Sequence, residues 1–591
     1  MQAPGSWKTD VAWAIGLFAA LFLAKWAVTL PSYQGVSILD ELIYYDSARI
    51  LSQFRLPGGV EYPPLYPMLL APAFWFFGAS LKPLIALNVV YSSLTVVPIF
   101  ALARMVLSRR SALAATLVTC LLPWNYVMPR TLLSENIYTA LLLSAGLFAL
   151  WAPRRARWAW DAGFGLLLGL LYLARYISLP LIPVLLIVWW IREWGQHVED
   201  VERGALDRLG RFALVLVVAA VTFGSWAVLQ TATTDVTLAH AMGFIITSKT
   251  NAAQLTLGRL SLYATWYGAY VVLLAAPVVG LVFQSIRQAT SDWRKDRYPN
   301  LYVRFVVFSA AIGAALFVAS TRHSWRAYYN YPEPARIMGR YLVVLGPLLI
   351  ILAFAALVRR RQHPFKSPTS GVLWLFVVPG VLVYAAYQVV LGDWLLPFDI
   401  AQITDRGSVD AFAAYLTGHA FWILTGAAIA CAGFFYLSRT RAGAVSAVTV
   451  LLMLWLVWPL PAYLAHLQGH QDAAANGNRV AESLQGRVPP PGKWPKATVG
   501  VSEQLIDSSA LTDALGAARA RAGYTRTVRN SLRFARLRAN IAGLDSPVFE
   551  ADYVLMDAAE LTPSSDVIAT WTHRGQAVAL VGTSADEDTA P

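Results

Sequence analysis

Two adjacent carboxylates follow the first long apolar segment of the chain. Asp40 and Glu41 lie in SILDELIYYDSARILSQF (37–54), where apolar and aromatic residues recur at helical spacing. This spacing predicts an amphipathic helix at a membrane surface. A carboxylate whose pKa is tuned by its surroundings can act as a general base toward a hydroxyl group. The alternative is that the two acids only cap the helix, since acidic groups complement the dipole at a helix N-terminus.

A further acidic residue stands before a run of prolines. Glu61 and Tyr62 precede Pro63 and Pro64 in GGVEYPPLYPMLLAPAFWFFG (58–78). Because proline fixes φ and restricts the residue before it, we expect Glu61 to be held on a stiff turn. The alternative is a loop that dips back into the membrane and carries an interfacial belt of aromatic residues.

Arginine and tyrosine are concentrated in RHSWRAYYNYPEPARIMGRYLVVLGP (322–347), which includes Arg326, Arg340 and Tyr341. The planar guanidinium group presents donors in a fork that suits phosphate. This segment therefore indicates an anion site rimmed by aromatic residues. The alternative is nonspecific binding of anionic lipid headgroups. His323 stands alone in this segment, and we interpret it as structural.

Further ionisable residues lie beside apolar segments. Arg130 and Glu135 flank a short connection in MPRTLLSENIYT (128–139), and Arg175 follows an apolar run in LARYISLP (173–180). Ionisable residues at membrane depth are candidates for function. The alternatives are helix capping by Ser134 and Glu135, and snorkelling of Arg175 to the headgroups.

The amino-acid composition indicates that membrane-spanning helices position these residues. The 591-residue chain is 57% apolar and only 14% charged, whereas soluble domains carry about 25% charged residues. About thirteen apolar segments approach the length of about 20 residues that spans a bilayer. The sequence therefore predicts an all-α polytopic membrane protein with about thirteen transmembrane helices. The segments are 10–30, 83–104, 112–128, 134–152, 160–175, 178–192, 212–232, 260–284, 303–321, 340–358, 371–391, 412–437 and 443–463.

The distribution of basic residues predicts the orientation. Short basic clusters fall in every second loop, at 104–110, 154–157, 287–297, 359–366 and 439–441. Basic loops face the cytoplasm, so the N-terminus is expected in the cytoplasm and the C-terminus outside it. The same rule accounts for the formal net charge of +13 without a nucleic-acid partner. All the residues singled out above then lie on the exported side.

The last part of the chain differs in composition. We predict a transmembrane domain over 1–463, a linker over 464–496 that ends near PPPGKWP, and a small soluble α/β domain over 497–591 on the exported side. Within it, 497–502, 551–557 and 577–582 are typical of short buried strands, and 505–523 of a helix.

Several site classes are disfavoured. The two cysteines, Cys120 and Cys431, lie inside apolar runs, which argues against a disulfide framework or a cysteine metal site. The chain carries neither a Walker phosphate loop nor an HExxH motif. We predict no cofactor, and no spacing of the carboxylates suggests a metal site.

Taken in order, the Asp-Glu pair, EYPPLYP with its following LLAP, LSEN and GRYL resemble the glycosyltransferase C superfamily. The likeness extends over about residues 10–350 and is greatest to the protein O-mannosyltransferases and the bacterial lipid A aminoarabinose transferases. The resemblance implies an inverting sugar transfer at the outer face of the cell membrane. The donor would be a sugar linked to polyprenyl phosphate, and the acceptor a glycan, a glycolipid or a protein.

The resemblance also implies roles for individual residues. Asp40 matches the catalytic base, Glu41 completes the acidic pair, and Glu61 matches the acid of the family's Glu-x-Pro-Pro loop. Arg340 matches the GRYL arginine that steadies the leaving phosphate, with Arg326, Arg175 and Tyr341 as helpers. Tyr62 is a departure, because the aminoarabinose transferases have lysine there and this chain thus lacks one phosphate ligand.

Two other classes of protein remain open at this point. A transporter or lipid flippase would place charged residues and broken helices near the midplane, often in two related halves. A non-catalytic envelope scaffold would keep the arginine cluster without needing Asp40 and Glu61. Neither the sugar nor the acceptor is determined by these residues.

Overall fold

The computed structural model is mostly helical, with a small sheet near the C-terminus. It describes residues 6–31, 33, 39–57, 62–122, 124–153, 156–197, 205–234, 236–242, 256–295, 299–327, 339–362, 365, 367–391, 419–437, 442–457, 472–480, 482–483, 497–501, 528, 539–541, 553–561, 566–573 and 576–582.

Twenty α-helices precede the short helix at 472–480 within these ranges. They are α1 Ser6–Thr29, α2 Leu39–Ser52, α3 Leu65–Phe77, α4 Leu81–Ser93, α5 Val96–Val106, α6 Arg109–Cys120, α7 Trp124–Val127, α8 Glu135–Leu150, α9 Arg157–Ala174, α10 Leu181–His197, α11 Ala205–Thr233, α12 Leu238–Ala241, α13 Leu257–Leu274, α14 Val279–Lys295, α15 Leu301–Ala327, α16 Leu345–Arg359, α17 Pro368–Val372, α18 Val378–Leu391, α19 His419–Leu437 and α20 Ala442–Val457. A π-helical turn, Leu373–Val377, joins α17 to α18.

Many of these helices have the length and composition of membrane spans. Five stretches of the described chain are long and apolar enough to cross a bilayer, and the number rises to seven if each of two bent helix pairs is one span. One bent pair, α13 and α14, turns by 68° at Ala276–Val278, where Pro277 cannot donate a backbone hydrogen bond.

Each of the thirteen apolar segments expected from the sequence overlaps one or more of these helices. Several of the helices, however, are only 10–17 residues long, which is shorter than an untilted span requires. A count of thirteen spans therefore stays a prediction.

The segment after α1 folds into two packed helices. In α2 one face is buried, with Tyr44, Tyr45 and Ala48, while Asp46 is exposed. In α3 the Tyr66 hydroxyl donates to Asn88 Oδ1 of α4 at 2.6 Å. This buried hydrogen bond fixes α3 against the bundle.

Glycines allow α9 and α11 to pack closely. Gly165 and Gly169 stand four residues apart in α9, the small-xxx-small spacing that lets membrane helices approach. A Cβ atom on Gly165 would lie 2.5 Å from the carbonyl oxygen of Val215, and one on Gly169 would lie 2.4 Å from the Cβ of Thr222. Neither position leaves room for a methyl group, and at Gly165 the nearest atom belongs to the backbone of α11.

Four buried charges join α9, α10 and α11. Asp161 accepts from Arg192 at 2.7 Å and from Arg211 at 3.0 Å, and both arginines also pair with Glu193. All four side chains are at most 2% exposed. We call Asp161, Arg192, Glu193 and Arg211 the buried quartet. Two positive and two negative charges compensate each other there, which burial requires.

The C-terminal strands form one five-stranded sheet in the order β2-β1-β3-β5-β4. The strands are β1 Ala497–Val501, β2 Ala539–Ile541, β3 Tyr553–Asp557, β4 Asp566–His573 and β5 Gln576–Gly582. β1 pairs in parallel with β2 and β3, whereas β5 pairs antiparallel with β3 and β4.

The three strands expected from the sequence are β1, β3 and β5, and the sheet adds β2 and β4. The helix expected at 505–523 lies outside the described residues. Within the range expected as linker, 472–480 are helical, and Trp571 Nε1 of β4 donates to Asn476 Oδ1 at 3.0 Å.

The glycine contact gives a stability prediction. Gly165→Ala should lower the unfolding temperature in detergent, because the Val215 carbonyl belongs to a helix backbone and cannot move alone. Overpacking of this kind costs about 1–3 kcal/mol. Gly224→Ala in α11 is the matched control, since nothing lies within 4 Å of its added Cβ. Equal unfolding temperatures for the two variants would show that the close approach of α9 and α11 is wrong.

Candidate active site

Asp40 lies in the first turn of α2, and its carboxylate has two donors. The Tyr62 hydroxyl donates to Oδ1 at 2.9 Å, and Arg340 Nη2 donates to Oδ2 at 3.0 Å. The Asp40 side chain keeps 16% of its surface exposed. The carboxylate is thus oriented from two sides and remains accessible.

Arg340 lies in the 3₁₀ turn Gly339–Tyr341, just before α16. Its side chain is 4% exposed. While Nη2 pairs with Asp40, Nε lies 3.1 Å from Glu135 Oε1. One guanidinium group therefore bridges two carboxylates that come from separate helices.

Glu135 is the first residue of α8 and extends the network. Its second oxygen pairs with Arg175, the residue that follows α9. We call Asp40, Arg340, Glu135 and Arg175 the ion-pair chain. Negative and positive charges alternate along it, and their formal sum is zero.

Polar and aromatic side chains surround the Arg175 end. Arg175 Nη1 donates to Ser134 Oγ at 3.1 Å, and that hydroxyl lies 3.0 Å from the Tyr44 hydroxyl. The Arg175 guanidinium lies 4.8 Å from the centre of the Tyr341 ring, where the quadrupole of the ring attracts a cation. The His323 ring packs edge-on against the same tyrosine at 5.6 Å.

Some of the expected site residues lie apart from this chain. Glu41 is fully buried, and its Oε2 accepts from the backbone N–H of Leu132 at 2.9 Å. Arg130 is 3% exposed and its Nη2 donates to the carbonyl of Val28 at the end of α1. Both residues thus hold elements together in this structure.

Two further expected residues cannot be placed. Glu61 lies outside the described residues, and Arg326 belongs to α15 with a side chain outside the described part.

Ser134 has no side-chain capping hydrogen bond, so the capping alternative for Ser134 and Glu135 does not describe their contacts. Ser134 and Tyr44 were not singled out by sequence as site residues, and their hydroxyl groups carry no pattern that would have marked them.

The surroundings favour the charged form of Asp40. Burial raises the pKa of Asp40, but Arg340 and the Tyr62 hydroxyl outweigh burial, so that the pKa lies below its ordinary value. Burial and the neighbouring carboxylate raise the pKa of the Tyr62 hydroxyl. At neutral pH Asp40 is therefore an acceptor and Tyr62 a donor. This arrangement can take a proton from a hydroxyl group beside a buried guanidinium that suits phosphate.

Among the described residues, no three His, Cys, Asp or Glu side chains come together in a group that could hold a metal ion. The groups available at the ion-pair chain are thus carboxylates, guanidinium groups, hydroxyl groups and aromatic rings.

Comparison with solved structures places the fold. ArnT from Cupriavidus metallidurans bound to undecaprenyl phosphate matches with a TM-score of 0.50 and 17% identity, over 99% of each chain. The same protein in the apo state matches with a TM-score of 0.51 and 17% identity, over 97% of this chain and 98% of that one. The chain has the ArnT fold. Five stretches of the described residues are also long and apolar enough to cross a membrane.

A sequence model of the family described as dolichyl-phosphate-mannose-protein mannosyltransferase matches residues 61–201. This range contains Tyr62, Glu135 and Arg175, while Asp40 and Arg340 lie outside it. Among curated protein sequences no match is found. The resemblance to the glycosyltransferase C superfamily expected from the sequence is confirmed.

The position of Glu135 gives a second stability prediction. Glu135→Gln should destabilise the protein by about 3 kcal/mol, because Arg175 and Arg340 would lose the carboxylate between them while remaining buried. The measurement is the unfolding temperature in detergent. Glu482→Gln is the control, since Glu482 is 65% exposed and pairs with Arg479 at the surface, where such pairs contribute little. A Glu135 variant as stable as this control would refute the buried bridge.

Proposed function

We propose that the protein is a membrane glycosyltransferase that moves a sugar from a polyprenyl-phosphate carrier to an acceptor hydroxyl group. The observation that carries the proposal is the contact of Asp40 with Arg340 at 3.0 Å. It places a group suited to accept a proton beside a group suited to hold a phosphate. The family match and the shared fold with ArnT, whose structure holds undecaprenyl phosphate, support the same donor chemistry.

In the proposed reaction Asp40 acts as general base. As the acceptor oxygen attacks the anomeric carbon, its proton passes to Asp40 and a new C–O bond forms. The bond from the anomeric carbon to the phosphate oxygen breaks on the opposite face, which inverts the configuration. The phosphate leaves with the electron pair, and Arg340 stabilises the added charge in a site of low exposure.

Arg175 and Glu135 then act as positioning residues. Glu135 pairs with both arginines, so it sets the direction of the Arg340 guanidinium without needing to meet the substrate. Tyr341 forms one wall of the same region beneath Arg175. Orientation of charged groups before the reaction is a large part of electrostatic catalysis.

Tyr62 serves the base in this proposal. Its hydroxyl donates to Asp40, where the aminoarabinose transferases carry a lysine. This chain would then hold the phosphate with fewer cations, which points to a donor or acceptor different from theirs. Experiment must determine whether the sugar is a hexose or a pentose. It must also determine whether the acceptor is a glycan, a glycolipid or a protein.

The location proposed for the reaction is the exported face of a bacterial plasma membrane. The basic clusters of alternate loops support an N-terminus in the cytoplasm. The residues of the ion-pair chain would then follow the first span or precede later ones on the opposite side. A lipid-linked donor suits that side, because its hydrocarbon chain lies in the bilayer while its sugar phosphate lies at headgroup level.

Asp40→Asn tests the base. The variant should lose transfer of labelled sugar from a polyprenyl-phosphate donor by 10²-fold or more, in line with the contribution of a general base of about 10²–10⁴. Asp46→Asn is the matched control, because it makes the same change on the same helix at an exposed side chain. Unchanged transfer by Asp40→Asn would remove Asp40 from the mechanism, and no transfer by the wild type from any donor would favour a scaffold.

Tyr62→Phe tests the tuning of the base by pH. The hydroxyl stabilises the charged form of Asp40, so its removal should raise the pKa of Asp40 and move the acidic limb of kcat/KM to higher pH, by up to about one unit. Activity would then be lost earlier as the pH falls. Tyr45→Phe is the control, because the Tyr45 hydroxyl donates to the carbonyl of Ala79. Superimposable acidic limbs for wild type and Tyr62→Phe would contradict the proposed tuning.

A further inference from the structure

The cation proposed to hold the donor phosphate is already engaged by carboxylates. Arg340 contacts Asp40 at 3.0 Å and Glu135 at 3.1 Å. A phosphate that enters this region must therefore compete with at least one of them. The two carboxylates differ in how firmly they are held.

Glu135 is the more firmly placed partner. It has a second arginine, Arg175, and its side chain is 4% exposed. The Asp40 side chain is 16% exposed, and its other contact is the neutral Tyr62 hydroxyl. A phosphate that displaces Asp40 leaves both ion pairs of Glu135 in place, whereas one that displaces Glu135 would break the bridge between two buried arginines. A phosphate that binds Arg340 is therefore expected to displace Asp40 and not Glu135.

We propose that the donor phosphate displaces Asp40 from Arg340, so that Arg340 restrains the base until the donor is bound. This inference rests on the proposed function and adds an order to it. Before binding, the Asp40 carboxylate is held by Arg340 and is a poor proton acceptor. After binding, the phosphate contacts Arg340. Asp40 then loses its contact with Arg340, keeps its contact with Tyr62 and turns to the acceptor hydroxyl.

The same competition acts in the opposite direction after transfer. The product, polyprenyl phosphate, carries a more negative phosphate than the sugar-linked donor and binds a guanidinium more strongly. After transfer Asp40 carries the proton of the acceptor, and once it has released that proton to water its carboxylate can return to Arg340, which opposes that attraction and helps the product to leave. One carboxylate thus serves as the base and as the competitor of the product.

The experiment measures binding of polyprenyl phosphate to the full-length protein in detergent, with Asp40→Asn as the main variant. If Asp40 competes for Arg340, removal of its charge should tighten binding by roughly tenfold, as for a close charge pair at an interface. Arg340→Gln should weaken binding by a similar factor. Asp46→Asn, with the same change on an exposed part of α2, should bind like the wild type.

A double variant separates local competition from a general change of charge. In the Arg340→Gln background, Asp40→Asn should no longer tighten binding, because the competed group is gone. Tightening that persists in this background would overturn the proposal, as would equal or weaker binding by the single Asp40→Asn variant. If that variant does not fold, Asp40→Ser gives the same test. A wild type that binds no polyprenyl phosphate would instead overturn the proposed function.

Discussion

The Arg340 guanidinium is the group on which the arrangement of the site depends. It contacts Asp40, 300 residues earlier in the chain, and Glu135 at the start of α8. A buried cation must be compensated, because leaving it without a carboxylate costs several kcal/mol. This requirement brings the turn before α16 to the first turn of α2 and to α8. The proposed base and the proposed phosphate ligand are neighbours for this reason.

The packing of the other helices holds the elements of the site in place. The Tyr66–Asn88 hydrogen bond fixes α3, and Tyr62, three residues before α3, donates to Asp40. The backbone contact at Gly165 sets the distance between α9 and α11, and Arg175 follows directly from the end of α9. The distances within the ion-pair chain thus depend on helix packing at positions outside it.

Sequence reasoning singled out Asp40, Arg340 and Arg175 because charge beside apolar segments is conspicuous, but it could not give their partners. Glu41 shows why: adjacent residues of a helix point about 100° apart, so that Asp40 contacts Arg340 while Glu41 contacts the Leu132 backbone. Glu135 was placed at a loop, and its bridging position depends on tertiary structure. The strand at 566–573 was missed although its pairing partner β5 was predicted, since its continuous apolar run, at 567–569, is only three residues long.

The buried quartet has a consequence for the biosynthesis of the protein. Asp161 belongs to α9, whereas its two arginines arrive with α10 and α11. Until α11 brings Arg211, the charges of Asp161, Arg192 and Glu193 sum to −1, and a buried charge without a partner opposes residence in the bilayer. The stretch from α9 to α11 is therefore expected to settle in the membrane as one cooperative unit, with its final helix completing the neutralisation.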